Sequence, residues 1–199
     1  MAGRVGTIAG KRVVIVDDEA VIRMGVRAIL EDAGHTVVGE ASSGSDALKV
    51  IPEVVPDLAL LDIRMPSPDG MEVARRLRAE FPVPVVFLTA FSDRRLLFEA
   101  AEAGGYGYIV KPVREGEILA AVEVAAARWD ELHAAKDALE TRKLVERAKG
   151  ILMQRLNLSE DDAHHLLHRR SRHLRRAVRE VARDILETEE AIRRQHVQK

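Results

Sequence analysis

A chain of 199 residues that is 47% hydrophobic and 32% charged can bury a core in one or two domains, which excludes disorder of the whole. It contains no cysteine, which excludes a disulfide framework, a thiol nucleophile and a Cys-based zinc site and fits a reducing compartment. The net charge of -1 hides an asymmetry: residues 1–140 hold 16 bases and 23 acids, net -7, and residues 141–199 hold 15 and 9, net +6, with five of the seven histidines.

No apolar run approaches the roughly 20 residues of a membrane span, and "MAGRVGTIAG" lacks the apolar region of about 7–15 residues that a signal peptide carries. The expectation is a cytoplasmic protein with no membrane role and a flexible N-terminus over residues 1–10. Short apolar runs then follow in order: "RVVIVD" (12–17), "TVVGEA" (36–41), "LALLD" (58–62), "VVFLT" (85–89) and "YGYIV" (106–110). They are continuous instead of alternating, which predicts strands buried on both faces with crossover helices between them, five βα units in a doubly wound parallel sheet. Gly34, Gly44, Pro66, Gly70 and Gly104 punctuate those helices, and Asp69 with Gly70 reads as a turn and helix start.

In open parallel sheets the ligand crevice lies beyond the carboxyl ends of the strands. The residues there are Asp17 and Asp18, Asp62, Thr89 and Lys111. Two carboxylates about 4 Å apart repel by roughly 4 kcal/mol at an effective dielectric of 20, so such a cluster needs a cation, and an all-oxygen site that keeps several waters suits Mg2+.

"VDDE", "LLDIRMP", "FLTAF" and "YIVKP" together resemble the signature of two-component response-regulator receiver domains over residues 11–127. The resemblance implies a flavodoxin-like α/β fold in which Asp62 takes a phosphoryl group from a sensor histidine kinase. It implies Mg2+ held by Asp17, Asp18, Asp62 and the backbone carbonyl of Arg64, with Lys111 paired to the phosphoryl oxygens. Thr89 and Tyr108 would act as the switch, and Lys111-Pro112 would be cis. The only chemistry expected is the receiver's own Mg2+-dependent phosphorylation and dephosphorylation, because no other catalytic constellation is evident.

Beyond the receiver, Ile118, Val122, Ala125, Trp129, Leu132 and Leu139 continue at spacings of four and three, with Lys136 interrupting, which predicts that the last receiver helix runs on as a coiled-coil linker over 128–140. Residues 141–199 then read as a small all-helical output domain. Its first stripe is Leu144, Ala148, Ile151, Leu152 and Leu156; Ser159 and Asp162 resemble a capping box, and Val178, Val181, Ala182 and Ile185 form a later stripe. "RKLVERAKGILMQR", "LSEDDAHHLL" and "REVARDIL" resemble the ANTAR family of RNA-binding antitermination domains, with His165 near an expected aromatic and Arg172 about where that family often has Met.

The resemblance implies an antiterminator that binds RNA hairpins in nascent transcripts as a homodimer when active. Candidate RNA contacts are Arg142, Lys143, Arg147, Lys149, Arg169, Arg170, Arg172, Arg175, Arg176 and Arg179. "RRSRHLRRAVR" (169–179) contains six arginines and no acid; if it is helical, Leu174, Val178 and Val181 face the core and Arg172, Arg176 and Arg179 an adjoining surface. The alternative is a dimerisation or protein-interaction module without RNA binding. His164, His165, His168 and His173 read as helix-surface residues, since no acid or cysteine partner stands at ligand spacing among them.

Overall fold

The computed structural model describes residues 10–90 and 94–197, so the expected flexible N-terminus and Phe91 of "FLTAF" lie outside the described residues, apart from Gly10. Contacts divide the chain into two units, with the boundary between Glu131 and Leu132.

In the first unit β1 (Arg12–Val16), α1 (Ala20–Asp32), β2 (Thr36–Ala41), α2 (Gly44–Val54), β3 (Leu58–Asp62), α3 (Gly70–Glu80), β4 (Val85–Thr89), α4 (Arg94–Glu102) and β5 (Gly105–Val110) alternate, and α5 (Glu115–Leu156) begins. The sheet is parallel, in the order β2-β1-β3-β4-β5. Every residue of β3 and β4 is buried, as their unbroken apolar runs demand. Alternate side chains serve the two layers. Val14, Val16, Ala59, Leu61 and Phe87 pack with Ala47 and Ile51 of α2, Val73 and Leu77 of α3 and Ala100 of α4. Val13, Ile15, Leu58, Leu60 and Leu88 pack with Val26 and Leu30 of α1 and Ile118, Val122 and Ala125 of α5. Gly34, which follows α1, has φ +87°, a backbone region in which a Cβ is strained.

The expected heptad seam therefore splits in its use. Ile118, Val122 and Ala125 are core of the first unit, and Trp129 lies edge-to-face on Tyr106 with ring centroids 5.3 Å apart. Leu132 (57% exposed) and Leu139 (53%) are the seam residues left open to solvent. The helix itself runs on through 128–140 without a break.

The second unit consists of the later part of α5, α6 (Glu160–Leu174) and α7 (Val178–Val197). Its core is small: Ala148, Leu167, Val181 and Ala182 are buried, flanked by Leu144, Val145, Leu152 and Ile185. Ser159 caps α6 as its spacing predicts, its Oγ accepting the Asp162 N–H at 3.1 Å. With so little core, each cap matters. Ser159→Ala is expected to cost about 1 kcal/mol, read as a lower urea midpoint with an unchanged slope.

Residues 169–179 do not form one helix. α6 ends at Leu174, Arg175 takes a left-handed conformation (φ 53°), and α7 starts at Val178. The Arg176 N–H donates to the Ser171 carbonyl at 3.1 Å and the Ser171 hydroxyl to the Arg176 carbonyl at 2.6 Å, which closes the turn without glycine. Leu174 is accordingly 43% exposed instead of facing the core.

Candidate functional site

Strand register builds the site. Val16 pairs with Leu61, so Asp17, the next residue after β1, stands abreast of Asp62 at the end of β3. Asp62 pairs with Leu88, and Thr89 pairs with Val110, which brings Thr89 and Lys111 to the same edge. Asp17, Asp62 and Thr89 are buried, whereas Asp18 is exposed. One carboxylate oxygen from each of Asp17, Asp18 and Asp62 lies within 4.8 Å of the others.

Each of the two buried carboxylates is oriented by a backbone donor two residues on: Glu19 N–H to Asp17 Oδ1 at 2.9 Å and Arg64 N–H to Asp62 Oδ1 at 3.1 Å. Lys111 Nζ reaches Asp62 Oδ2 at 2.8 Å, Asp17 Oδ2 at 2.7 Å and Glu19 Oε1 at 3.5 Å. Its approach to Asp17 has the distance of an ion pair without hydrogen-bonding angles, and Asp17 Oδ2 is left buried with no hydrogen-bond partner. Burial pushes the Asp17 carboxyl above its usual range; Lys111 and the Glu19 N–H pull it down, the Asp62 charge adds to the rise, and the rise wins. Burial opposes the Lys111 charge, but the two carboxylates outweigh it and hold the ammonium's pKa above its ordinary value.

An oxygen-only donor set, in which Asp17 Oδ2 has its ion pair with Lys111 but no hydrogen bond, fits a hard divalent cation such as Mg2+. A shallow depression bounded by Asp18, Ile63, Arg64, Met65 and Asp69 adjoins these groups. Lys111-Pro112 is cis, and the Lys111 N–H donates to the Thr89 carbonyl at 2.7 Å. Tyr108, on edge strand β5, is half exposed.

Two contributors escaped the sequence reading. Glu19, the last letter of "VDDE", supplies both a backbone donor to Asp17 and a carboxylate to Lys111. Gly70 does more than start α3, because a Cβ there would fall on the Asp62 carbonyl oxygen, and its N–H donates to the Ile63 carbonyl at 3.1 Å. Gly70→Ala is expected to cost about 1–3 kcal/mol as an overpacked contact against backbone, seen as a lower midpoint of denaturation, and to displace the β3 end that carries Asp62.

Comparison with known proteins gives two family matches: a response regulator receiver domain over residues 13–123 and an ANTAR domain over residues 133–186. The transcriptional regulatory protein PdtaR of Mycobacterium tuberculosis is 38% identical over 185 residues, covering 89% of this chain and 90% of that protein. The chain is a response regulator with an ANTAR output domain. The chemotaxis protein CheY of Thermotoga maritima is 34% identical over 114 residues, 57% of this chain and 95% of CheY. Among solved structures, the receiver domain of the putative response regulator NarL from Mycobacterium tuberculosis superposes with a TM-score of 0.57 at 38% identity, over 60% of this chain and 98% of that one.

In this response regulator the cations of the output unit are unequal. Lys149 is buried, its Nζ 2.7 Å from Glu160 and 3.0 Å from Glu146, so it ties α5 to the start of α6 and does not sit on the surface with the others. Arg176 is held by Asp184 at 2.6 Å and Glu180 at 3.2 Å. Lys143 pairs with Glu140 at 2.8 Å, Arg179 with Asp137 at 3.9 Å and Arg147 with Glu190 at 4.0 Å. Within 169–179, Arg176 and Arg179 are thus neutralised by acids from α7 and α5, although the stretch itself contains none. Arg142, Arg169, Arg170, Arg172 and Arg175 are exposed with no carboxylate in salt-bridge range among the described residues. No helix among them is long and apolar enough to cross a membrane.

Proposed function

We propose that Asp62 accepts a phosphoryl group from a sensor histidine kinase, and that the phosphorylated state controls RNA binding by the ANTAR unit in transcription antitermination. The observation that supports it most directly is the register that seats Asp62 beside Asp17 under the Lys111 ammonium. A carboxylate oxygen of Asp62 attacks phosphorus; the P–N bond of the kinase phosphohistidine breaks, and the imidazole keeps the electron pair. Asp17, Asp18, Asp62 and the Arg64 carbonyl would hold Mg2+, which neutralises charge on the transferring group. Lys111 moves from the two carboxylates to a phosphoryl oxygen, the Thr89 hydroxyl hydrogen-bonds another, and Tyr108 leaves its half-exposed position on β5. The receiver's chemistry ends with its own phosphorylation and dephosphorylation.

Downstream, Arg142, Arg169, Arg170, Arg172 and Arg175 are the cations best placed for RNA phosphates and unpaired bases, because no acid among the described residues claims them. Exposed Leu132 and Leu139 suit pairing of two chains in the active form, and keep open a second reading in which the tail is a dimerisation module alone. Beryllofluoride with Mg2+ is expected to raise the affinity of the wild-type chain for leader hairpins by at least about tenfold, and to leave Asp62→Asn unchanged. Fluorescence anisotropy reads this; equal responses of the two proteins would sink phosphoryl control, and no RNA binding in either state would favour the dimerisation reading.

A further inference from the structure

The outward face of α6 carries chemistry that neither the aspartate site nor the arginines use. His164, His165 and His168 occupy positions i, i+1 and i+4, adjoining sites on one helical turn. The rings of His164 and His168 have centroids 4.3 Å apart, tilted by 47°, and those of His164 and His165 are 6.0 Å apart. His164 and His165 are exposed and His168 half-buried, on the side of α6 away from core residues Ala163 and Leu167. No acid stands among the four histidines, but Glu160 lies one turn before His164. That carboxylate is engaged by Lys149 at 2.7 Å, which leaves exposed Asp161, three residues before His164 and four before His165, as the acid beside the imidazoles.

We infer that His164 and His168 chelate a divalent transition-metal ion such as Zn2+, Ni2+ or Cu2+, with His165 joining as a third nitrogen donor. Two imidazoles four residues apart on a helix offer their nitrogens to one ion, as in helical zinc motifs. Binding would place a nitrogen of each about 2.0–2.1 Å from the ion. An imidazole-led set differs from the oxygen-only aspartate cluster: nitrogen donors favour Zn2+, Ni2+ and Cu2+, and carboxylates favour Mg2+. A ligating imidazole must also be neutral. Burial first, then the neighbouring His164 and Arg172 charges, hold His168 below the ordinary imidazole range, the direction that favours a ligating nitrogen.

Arg172 sets the limit on affinity, because its fixed charge on the same face opposes a dication. The one preassembled group of three ligating atoms among the described residues is Asp17, Asp18 and Asp62. The α6 site is therefore an open, exchanging one, completed by rotation of His165 and by water, and not a closed structural centre. It stands independently of the RNA reading.

The test is calorimetric titration of the untagged full-length chain with Zn2+ in excess Mg2+, which keeps the aspartate site out of the signal. One Zn2+ per chain is expected. His164→Ala and His168→Ala should each weaken it by about a hundredfold, because either leaves a single-point ligand where there was a chelate. His165→Ala should weaken it by less, and His133→Ala not at all. Paramagnetic Cu2+ should broaden the imidazole NMR signals of His164 and His168 before those of His173. Wild-type affinity in His164→Ala or His168→Ala, or no binding by the wild-type chain, overturns the site, and wild-type affinity in His165→Ala overturns the third donor.

Discussion

Replacing Lys111 with methionine is expected to destabilise the receiver by about 2–3 kcal/mol in the absence of Mg2+. That is below the 3–5 kcal/mol of a fully enclosed broken ion pair, because exposed Asp18 leaves one side of the cluster open to water. The cause is that Asp17 and Asp62 would face each other, buried, with the ammonium gone. Mg2+ should then raise the melting temperature of Lys111→Met by more than it raises that of wild type, since the cation restores what the ammonium supplied. Equal Mg2+ responses would show that the carboxylates do not depend on Lys111. The pH dependence follows from the two shifts. The folded pKa of Lys111 is raised, so its stabilisation is complete below the unfolded value of 10.5 and is lost as pH climbs through the higher folded value. Asp17 is also raised, so its contribution favours the fold in acid and diminishes as pH rises from 3.8 through its folded pKa. Wild type should therefore lose stability on the alkaline side where Lys111→Met does not, and Mg2+ affinity should fall as acid protonates Asp17 earlier than an ordinary aspartate.

The receiver was legible because its information is local. "LALLD" and "VVFLT" are unbroken apolar runs, and only a strand buried on both faces uses such a run in full. The strand-end chemistry followed from the same reading. What the runs do not encode is register: that Asp17 stands abreast of Asp62, and that Gly70 must let α3 approach the Asp62 carbonyl, are properties of strand and helix neighbours distant in the chain. Spacing also fails to distinguish a core stripe from a coiled-coil seam, because both repeat at four and three. Ile118, Val122 and Ala125 turned out to be the former, and Leu132 and Leu139 remain free for the latter. In the tail, the break at Arg175 had no glycine to announce it, and the acids that quench Arg176 lie at 180 and 184, just beyond the window that looked purely basic. Neutralisation is a property of the folded surface, and a one-dimensional charge count misses it.

That difference yields the sharpest test of the output unit. The triple variant Arg169→Ala, Arg172→Ala, Arg175→Ala removes three exposed guanidiniums that no carboxylate among the described residues holds, so it should leave thermal stability nearly unchanged. If those groups contact RNA phosphates, the plot of log affinity against log salt should become shallower by about 2–3 units, and affinity at moderate salt should fall on the order of tenfold to a hundredfold. Arg176→Ala and Lys149→Ala should behave in the opposite way. Arg176 bridges the α6–α7 turn to Asp184 and Glu180, and Lys149 bridges α5 to Glu160, so each loss should loosen the helical unit and lower its unfolding midpoint while leaving the salt slope intact. Five cations that are equivalent in the sequence would thereby separate into those that meet a polyanion and those that hold the helices that present them. A uniform effect of all five substitutions on the salt slope would refute that division.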